Sequence, residues 1–187
     1  MAKDNRARAW CMLAYPESAP SNWMELLQEE HFPFVVSPLH DLDTTEDGEI
    51  KKAHWHIVAL FSGKKSYEQI KEYTDKINSP IPQKCADVRA SVRYLIHMDN
   101  PEKYQYNRED IRAFNGFDAD DYFKPTFAVK KQMLREITNY IHDHHITEFG
   151  DFMAWCTENN EEWFDLITDQ YTLYTTSLIR SERHKPM

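Results

Sequence analysis

Residues 34–61, FVVSPLHDLDTTEDGEIKKAHWHIVALF, constrain the fold more tightly than any other stretch of the chain. They read as an apolar strand, a polar turn over Thr44 to Gly48, and a second apolar strand opening with His-Trp-His. Strand side chains alternate faces, so His54 and His56 share one face with Val58 and Leu60, while Trp55, Ile57, Ala59 and Phe61 take the other. Both faces are apolar beyond the histidines, the signature of a central strand. Antiparallel pairing would bring His40 and Asp43, at the end of the first strand, towards His54 and His56. Four potential ligands then converge at one sheet end.

Imidazoles suit several divalent transition metals, and a carboxylate oxygen moves the preference towards an octahedral ion such as Mn²⁺ or Mg²⁺. A lone His-x-His is weak evidence, because two histidines on a strand are often surface or hydrogen-bonded residues. His40 and Asp43 facing the pair favour a metal site.

SPLHDLD followed by KKAHWHIVALF, and later RYLIHMDNPEKYQY, resembles the replication initiators of small rolling-circle plasmids of the streptococcal type, members of the His-hydrophobe-His (HUH) endonucleases. AYPESAP followed by a Trp-bearing segment fits the same family. The resemblance runs through residues 5 to 125, with a looser match in the remainder. It implies an α+β fold, a five-stranded antiparallel sheet of ferredoxin-like derivation flanked by helices, with an all-α region after it. It also implies Mn²⁺ or Mg²⁺ as cofactor, and recognition of plasmid origin DNA, double-stranded and single-stranded. One strand is nicked, and the free 3′ end serves as primer for host replication proteins. Some members form ring-like homo-oligomers through a C-terminal helical domain.

Residues 1–125 are therefore expected to form the origin-binding and nicking domain, and 126–187 a helical oligomerisation domain. In 187 residues there is room for one domain of about 120 residues plus a small appendage. No stretch is long and apolar enough to span a bilayer, and MAKDNRARAW lacks the apolar core of a signal peptide, so the expected location is the cytoplasm. Cys11, Cys85 and Cys156 are far apart and without CxxC spacing, which predicts reduced thiols rather than a disulfide framework or zinc ribbon.

The net charge of −9 argues against an indiscriminate polyanion binder. Distribution matters more than the sum: residues 51–112 carry 12 Lys plus Arg against 8 Asp plus Glu. This basic segment supplies the candidate DNA contacts Lys51, Lys52, Lys64, Lys65, Arg89 and Arg93. The competing reading is the solvated face of a mixed-charge helix.

Along the chain, ARAWCMLA (7–14) predicts a first strand. A helix from Asn22 to about His31 follows, capped by Pro20-Ser21, and a second spans Ser66 to Asn78 with Ser66 and Gln69 as a capping box. An extended piece over Lys84 to Val88 is predicted to return to the sheet edge. Residues 90–98 predict a short helix carrying Tyr94 and His97 as neighbours at i and i+3, with Arg93 pointing away. Residues 102–123 read as irregular. After Pro125 three helices are expected, at 129–142, 146–157 and 161–183, the last with a stripe of Trp163, Ile167, Tyr171, Tyr174 and Leu178.

A phosphodiester at such a site needs a nucleophile. Water would give a plain nuclease, whereas tyrosine would give a 5′-phosphotyrosine and a free 3′-hydroxyl, leaving strand transfer possible at termination. Conjugative relaxases place the tyrosine before the histidine motif, which would select Tyr15; initiators place it after, which selects Tyr94 in RYLIH. Tyr104 and Tyr106 are the fallbacks. Two readings of other classes compete: a non-catalytic metal-containing DNA-binding repressor, and a metal-dependent small-molecule hydrolase.

Overall fold

The computed structural model describes residues 5–45 and 47–184; Glu46, within the predicted polar turn, lies outside them. The chain divides into two units, Met1–Lys124 and Pro125–Met187.

The first unit is α+β. Its strands are β1 (Ala7–Ala14), β2 (Phe34–Val36), β3 (Trp55–Lys65), β4 (Gln83–Lys84) and β5 (Arg112–Phe114), in the order β4-β1-β3-β2-β5. Every neighbouring pair is antiparallel. β3 is central because both its faces are apolar. Ile57, Ala59 and Phe61 pack with Trp10, Met12 and Phe34 beneath α1 (Trp23–Gln28) and α2 (Tyr67–Lys76). On the other face Val58 and Val35 pack with Val92, Leu95, Phe117 and Phe123, brought there by α3 (Val88–Tyr94) and α4 (Asp120–Phe123).

Ser66 and Gln69 cap α2 reciprocally, each side chain bonding the other's backbone N–H, so two otherwise unpaired donors are satisfied. The cap of α1 and the extent of the edge strand differ from expectation. α1 begins at Trp23 behind Asn22, with no side-chain cap from Pro20-Ser21. The edge strand ends at Lys84, and Asp87 instead caps α3 through the Ala90 N–H.

α3 stops at Tyr94, a turn earlier than periodicity suggests. His97 adopts φ 59°, a left-handed conformation that a helix cannot include. Residues 112–114, expected to be irregular, form the short edge strand β5 on β2.

The second unit is helical: α5 (Phe127–Asp143), α6 (Phe149–Asn159), α7 (Glu161–Leu166), a π-turn over Ile167–Tyr171, and α8 (Thr172–Arg183). Met133, Ile137, Ile141, Phe152, Cys156, Trp163, Leu166, Ile167 and Ile179 form its core. The predicted stripe of the last helix holds at Trp163 and Ile167, keeps Tyr171 and Leu178 partly buried against the core, and breaks at Tyr174. A π-turn closes i→i+5 bonds and so inserts one residue into the 3.6 period. Burial moves accordingly to Thr175 and Ile179, and Tyr174 stands 45% exposed. No helix among the described residues is long and apolar enough to cross a membrane.

Candidate metal centre

The site sits where β2 and β3 part. Past Val36 the chain leaves the regular ladder at Ser37-Pro38 and touches it once more, His40 and His54 exchanging backbone bonds of 2.9 and 3.2 Å. That bridge sets the two residues directly opposite each other. The Ser37 hydroxyl accepts the His56 N–H at 2.9 Å, fixing the start of β3.

Backbone carbonyls orient three of the rings. His54 Nδ1 donates to the Lys52 carbonyl (2.7 Å), His40 Nε2 to that of Leu95 (2.9 Å), and His97 Nδ1 to that of Tyr104 (2.8 Å). A carbonyl only accepts, so these nitrogens carry the protons, and in the neutral rings the opposite nitrogens present lone pairs.

The lone pairs converge. His54 Nε2 lies 3.1 Å from His56 Nε2. His40 Nδ1 and His97 Nε2 are buried without a hydrogen-bond partner, at 3.5 and 3.8 Å from Asp43 Oδ2. Two overlapping clusters of metal-ligating geometry result, His40 with His54 and His56, and His40 with Asp43 and His97. His40 belongs to both.

Two buried lone pairs facing a carboxylate oxygen are electrostatically unstable unless a cation lies among them. Burial lowers the His40 pKa from its usual value and drives that of His56 down to about 3, so both rings are neutral at pH 7. The Asp43 pKa is nonetheless lowered: burial disfavours its carboxylate, but the positive charge that His40 and His97 carry when protonated, and the hydrogen bond from the Tyr106 hydroxyl, outweigh it. A divalent ion fits this donor set of imidazole and carboxylate.

Tyr106 braces the arrangement. Its ring stacks on His40 (centroids 4.2 Å, 4°), and its hydroxyl donates to Asp43 Oδ1 at 3.1 Å while accepting the Leu42 N–H. Burial pushes its pKa up to about 12, so its phenol stays protonated. Tyr104 is exposed. Tyr94 stands edge-on to His56 (5.3 Å, 90°) and to His97 (4.8 Å, 72°). Tyr15 lies on the other flank, 5.9 Å from His54, with the Lys52 ammonium over its ring at 4.9 Å.

The six basic candidates are dispersed. Lys51 and Lys52 immediately precede the site, the Lys51 N–H bonding the Asp43 carbonyl (2.7 Å) and the Lys52 ammonium pairing with Glu17 (2.7 Å). Lys64 and Lys65 lie at the far end of β3, eight or nine residues from His56 and so about 26–30 Å along the strand. Arg89 bonds the Lys124 carbonyl, and Arg93 makes a two-pronged pair with Asp99 at 2.6 and 2.7 Å.

Sequence reasoning noted His97 only as the neighbour of Tyr94. Its spacing in RYLIH was the available signal for more. Lys103, whose ammonium donates to the Tyr94 hydroxyl at 2.6 Å, had no signal at all.

Comparison with known proteins agrees with this architecture. Residues 2–120 match the family described as plasmid replication protein, origin binding domain, and residues 129–184 match replication protein RepB, C-terminal. A replication protein of Staphylococcus aureus is 40% identical over 184 residues, covering 98% of this chain and 92% of the relative. Replication protein RepB of Lactiplantibacillus plantarum is 41% identical over 182 residues, 96% of this chain and 83% of the relative. A more distant RepB, from Streptococcus agalactiae, is 27% identical over 173 residues, 87% of this chain and 82% of the relative. The chain therefore belongs to the plasmid replication proteins with an origin-binding domain, the rolling-circle initiators that its motifs resemble.

Proposed function

We propose that this initiator makes a metal-dependent, site-specific single-strand nick at its origin, with Tyr94 as nucleophile and His40, Asp43, His54 and His56 as metal ligands. The observation that carries the reading is the pair of donor clusters joined at His40, one with His54 and His56 and the other with the Asp43 carboxylate and His97, with Tyr94 edge-on beside His56 and His97. Mn²⁺ is favoured over Mg²⁺ because imidazoles dominate the donor set. A divalent ion held there supplies Lewis-acid polarisation of a phosphodiester oxygen.

The chain's own residues do the rest. The carbonyls of Leu95 and Lys52 lock the tautomers of His40 and His54, and Tyr106 steadies both His40 and Asp43. His56 and His97 confine the Tyr94 ring. Its Oη attacks phosphorus, and the product is a 5′-phosphotyrosine with a free 3′-hydroxyl that host replication proteins extend. Forming phenolate at pH 7 from a phenol of pKa about 10 costs roughly 4 kcal/mol, so the site assists deprotonation during attack. Rejoining by strand transfer at termination uses the same intermediate in reverse.

Residues 126–187 are assigned to self-association, in keeping with the exposure of Phe127, Leu173 and Tyr174 on the helical unit. Lys51 and Lys52 are the basic candidates nearest the site.

The test is incubation with single-stranded origin DNA and Mn²⁺. Wild type is expected to form a covalent protein–DNA adduct that chelation abolishes, and Tyr94→Phe to bind duplex origin normally without nicking. Specific binding with neither nick nor adduct would leave the repressor reading.

A further inference from the structure

We propose that Lys103 seats the scissile phosphate against the Tyr94 hydroxyl, a phosphate-binding role that deepens, and rests on, the reading of Tyr94 as nucleophile. The Lys103 ammonium donates to Tyr94 Oη at 2.6 Å and lies 4.4 Å from the centre of its ring. Among the described residues no carboxylate lies within ion-pair distance of it. The nearby acids are otherwise engaged, Asp99 with Arg93 (2.6 Å) and Glu102 with the Asn100 amide (3.1 Å).

The loop that carries Lys103 is tied down on both sides. Its N–H bonds the Asn100 carbonyl (3.0 Å), the Gln105 amide bonds the carbonyls of Asn100 and Lys103, and the Tyr104 carbonyl takes His97 Nδ1. Lys103 as a residue is partly buried, its ammonium lying against the phenol. It has three donors and spends one on Tyr94, leaving two for an anion.

A phosphodiester oxygen held by those donors places phosphorus within the roughly 3–3.5 Å that in-line attack by Oη requires. The Oη–P bond forms and the P–O3′ bond breaks. The phenolic proton passes to water, the 3′ oxygen takes one from water, and Lys103 keeps its charge throughout.

The experiment maps the wild-type adduct first, then measures salt-dependent binding and single-turnover nicking of a single-stranded origin oligonucleotide with Mn²⁺ for Lys103→Ala, Lys103→Arg and Tyr94→Phe. Losing one phosphate contact on a single strand lowers the slope of log affinity against log salt by about 0.7. Lys103→Ala is expected to show that drop and to nick about 100-fold more slowly. Lys103→Arg is expected to keep the slope and nick within about 5-fold of wild type, and Tyr94→Phe to keep the slope. With the adduct on Tyr94, an unchanged slope in Lys103→Ala overturns the proposal, and so does Lys103→Arg as slow as Lys103→Ala, which would mean a purely structural lysine. An adduct on another residue overturns the nucleophile assignment and this proposal together.

Discussion

Acid should loosen the metal-free site before it affects the rest of the molecule. Burial holds the pKa of His40 below its usual value and that of His56 down to about 3, whereas in the unfolded chain both titrate near 6.5. Below pH 6.5 the unfolded state therefore binds more protons, and stability falls as pH drops from 6.5 towards the folded values. Asp43 acts in the same direction only below the ordinary carboxylate range, because its own pKa is lowered. Each fully engaged histidine costs up to about 1.4 kcal/mol per pH unit. Between pH 6.5 and 5 His56 alone should thus remove about 1.6 kcal/mol, with His40 adding in the same direction, against the roughly 5–15 kcal/mol that holds a domain together. Hydrogen exchange of the β3 amides, corrected for intrinsic rate, reads this directly. Saturating Mn²⁺ should add about 2.7 kcal/mol of protection at 100-fold excess over Kd at pH 7, and less at pH 5, where protons compete for the same nitrogens. In His56→Asn the acid slope should become shallower. Protection of β3 that is flat from pH 7 to 5, or a slope unchanged by His56→Asn, would refute the reasoning.

Replacing His54 or His56 by Ala should weaken Mn²⁺ binding by tenfold or more and abolish nicking; undiminished affinity of both variants by calorimetry would remove them from the ligand set. A protein truncated after Lys124 should be monomeric by light scattering and still nick, since the first unit has its own core on both sheet faces, and a monomeric full-length protein at high concentration would end the self-association assignment. Cys85 should react with iodoacetamide at pH 7 well before Cys11, because its hydrogen bond with Cys11 pulls the Cys85 thiol down to about 6 while the same contact raises Cys11; mass-spectrometric mapping showing equal labelling would contradict this.

What could be read from the chain was what periodicity encodes. Two-sided apolarity placed β3 at the centre, and Ser66 with Gln69 announced the start of α2. Strand alternation put His54 and His56 on one face, and antiparallel pairing set His40 opposite them. Where tertiary contacts choose the backbone, the pattern was silent. His97 takes its left-handed conformation beside a bond to the Tyr104 carbonyl that no spacing records. β5 is three residues at a sheet edge, too short to show alternation. The π-turn shifts the face of α8 by one residue without any residue type demanding it. Lys103 meets Tyr94 across a loop, and loops bring side chains together with no period at all.

Tyr94 is proposed to do the chemistry beside a divalent ion. Peptide mapping of the adduct formed on single-stranded origin DNA with Mn²⁺ tests it most directly. The phosphate should be found on Tyr94 and be absent from Tyr94→Phe, while Tyr15→Phe nicks normally. Attachment to Tyr15, Tyr104 or Tyr106 would contradict the assignment, and nicking with no adduct would mean that water, not tyrosine, attacks.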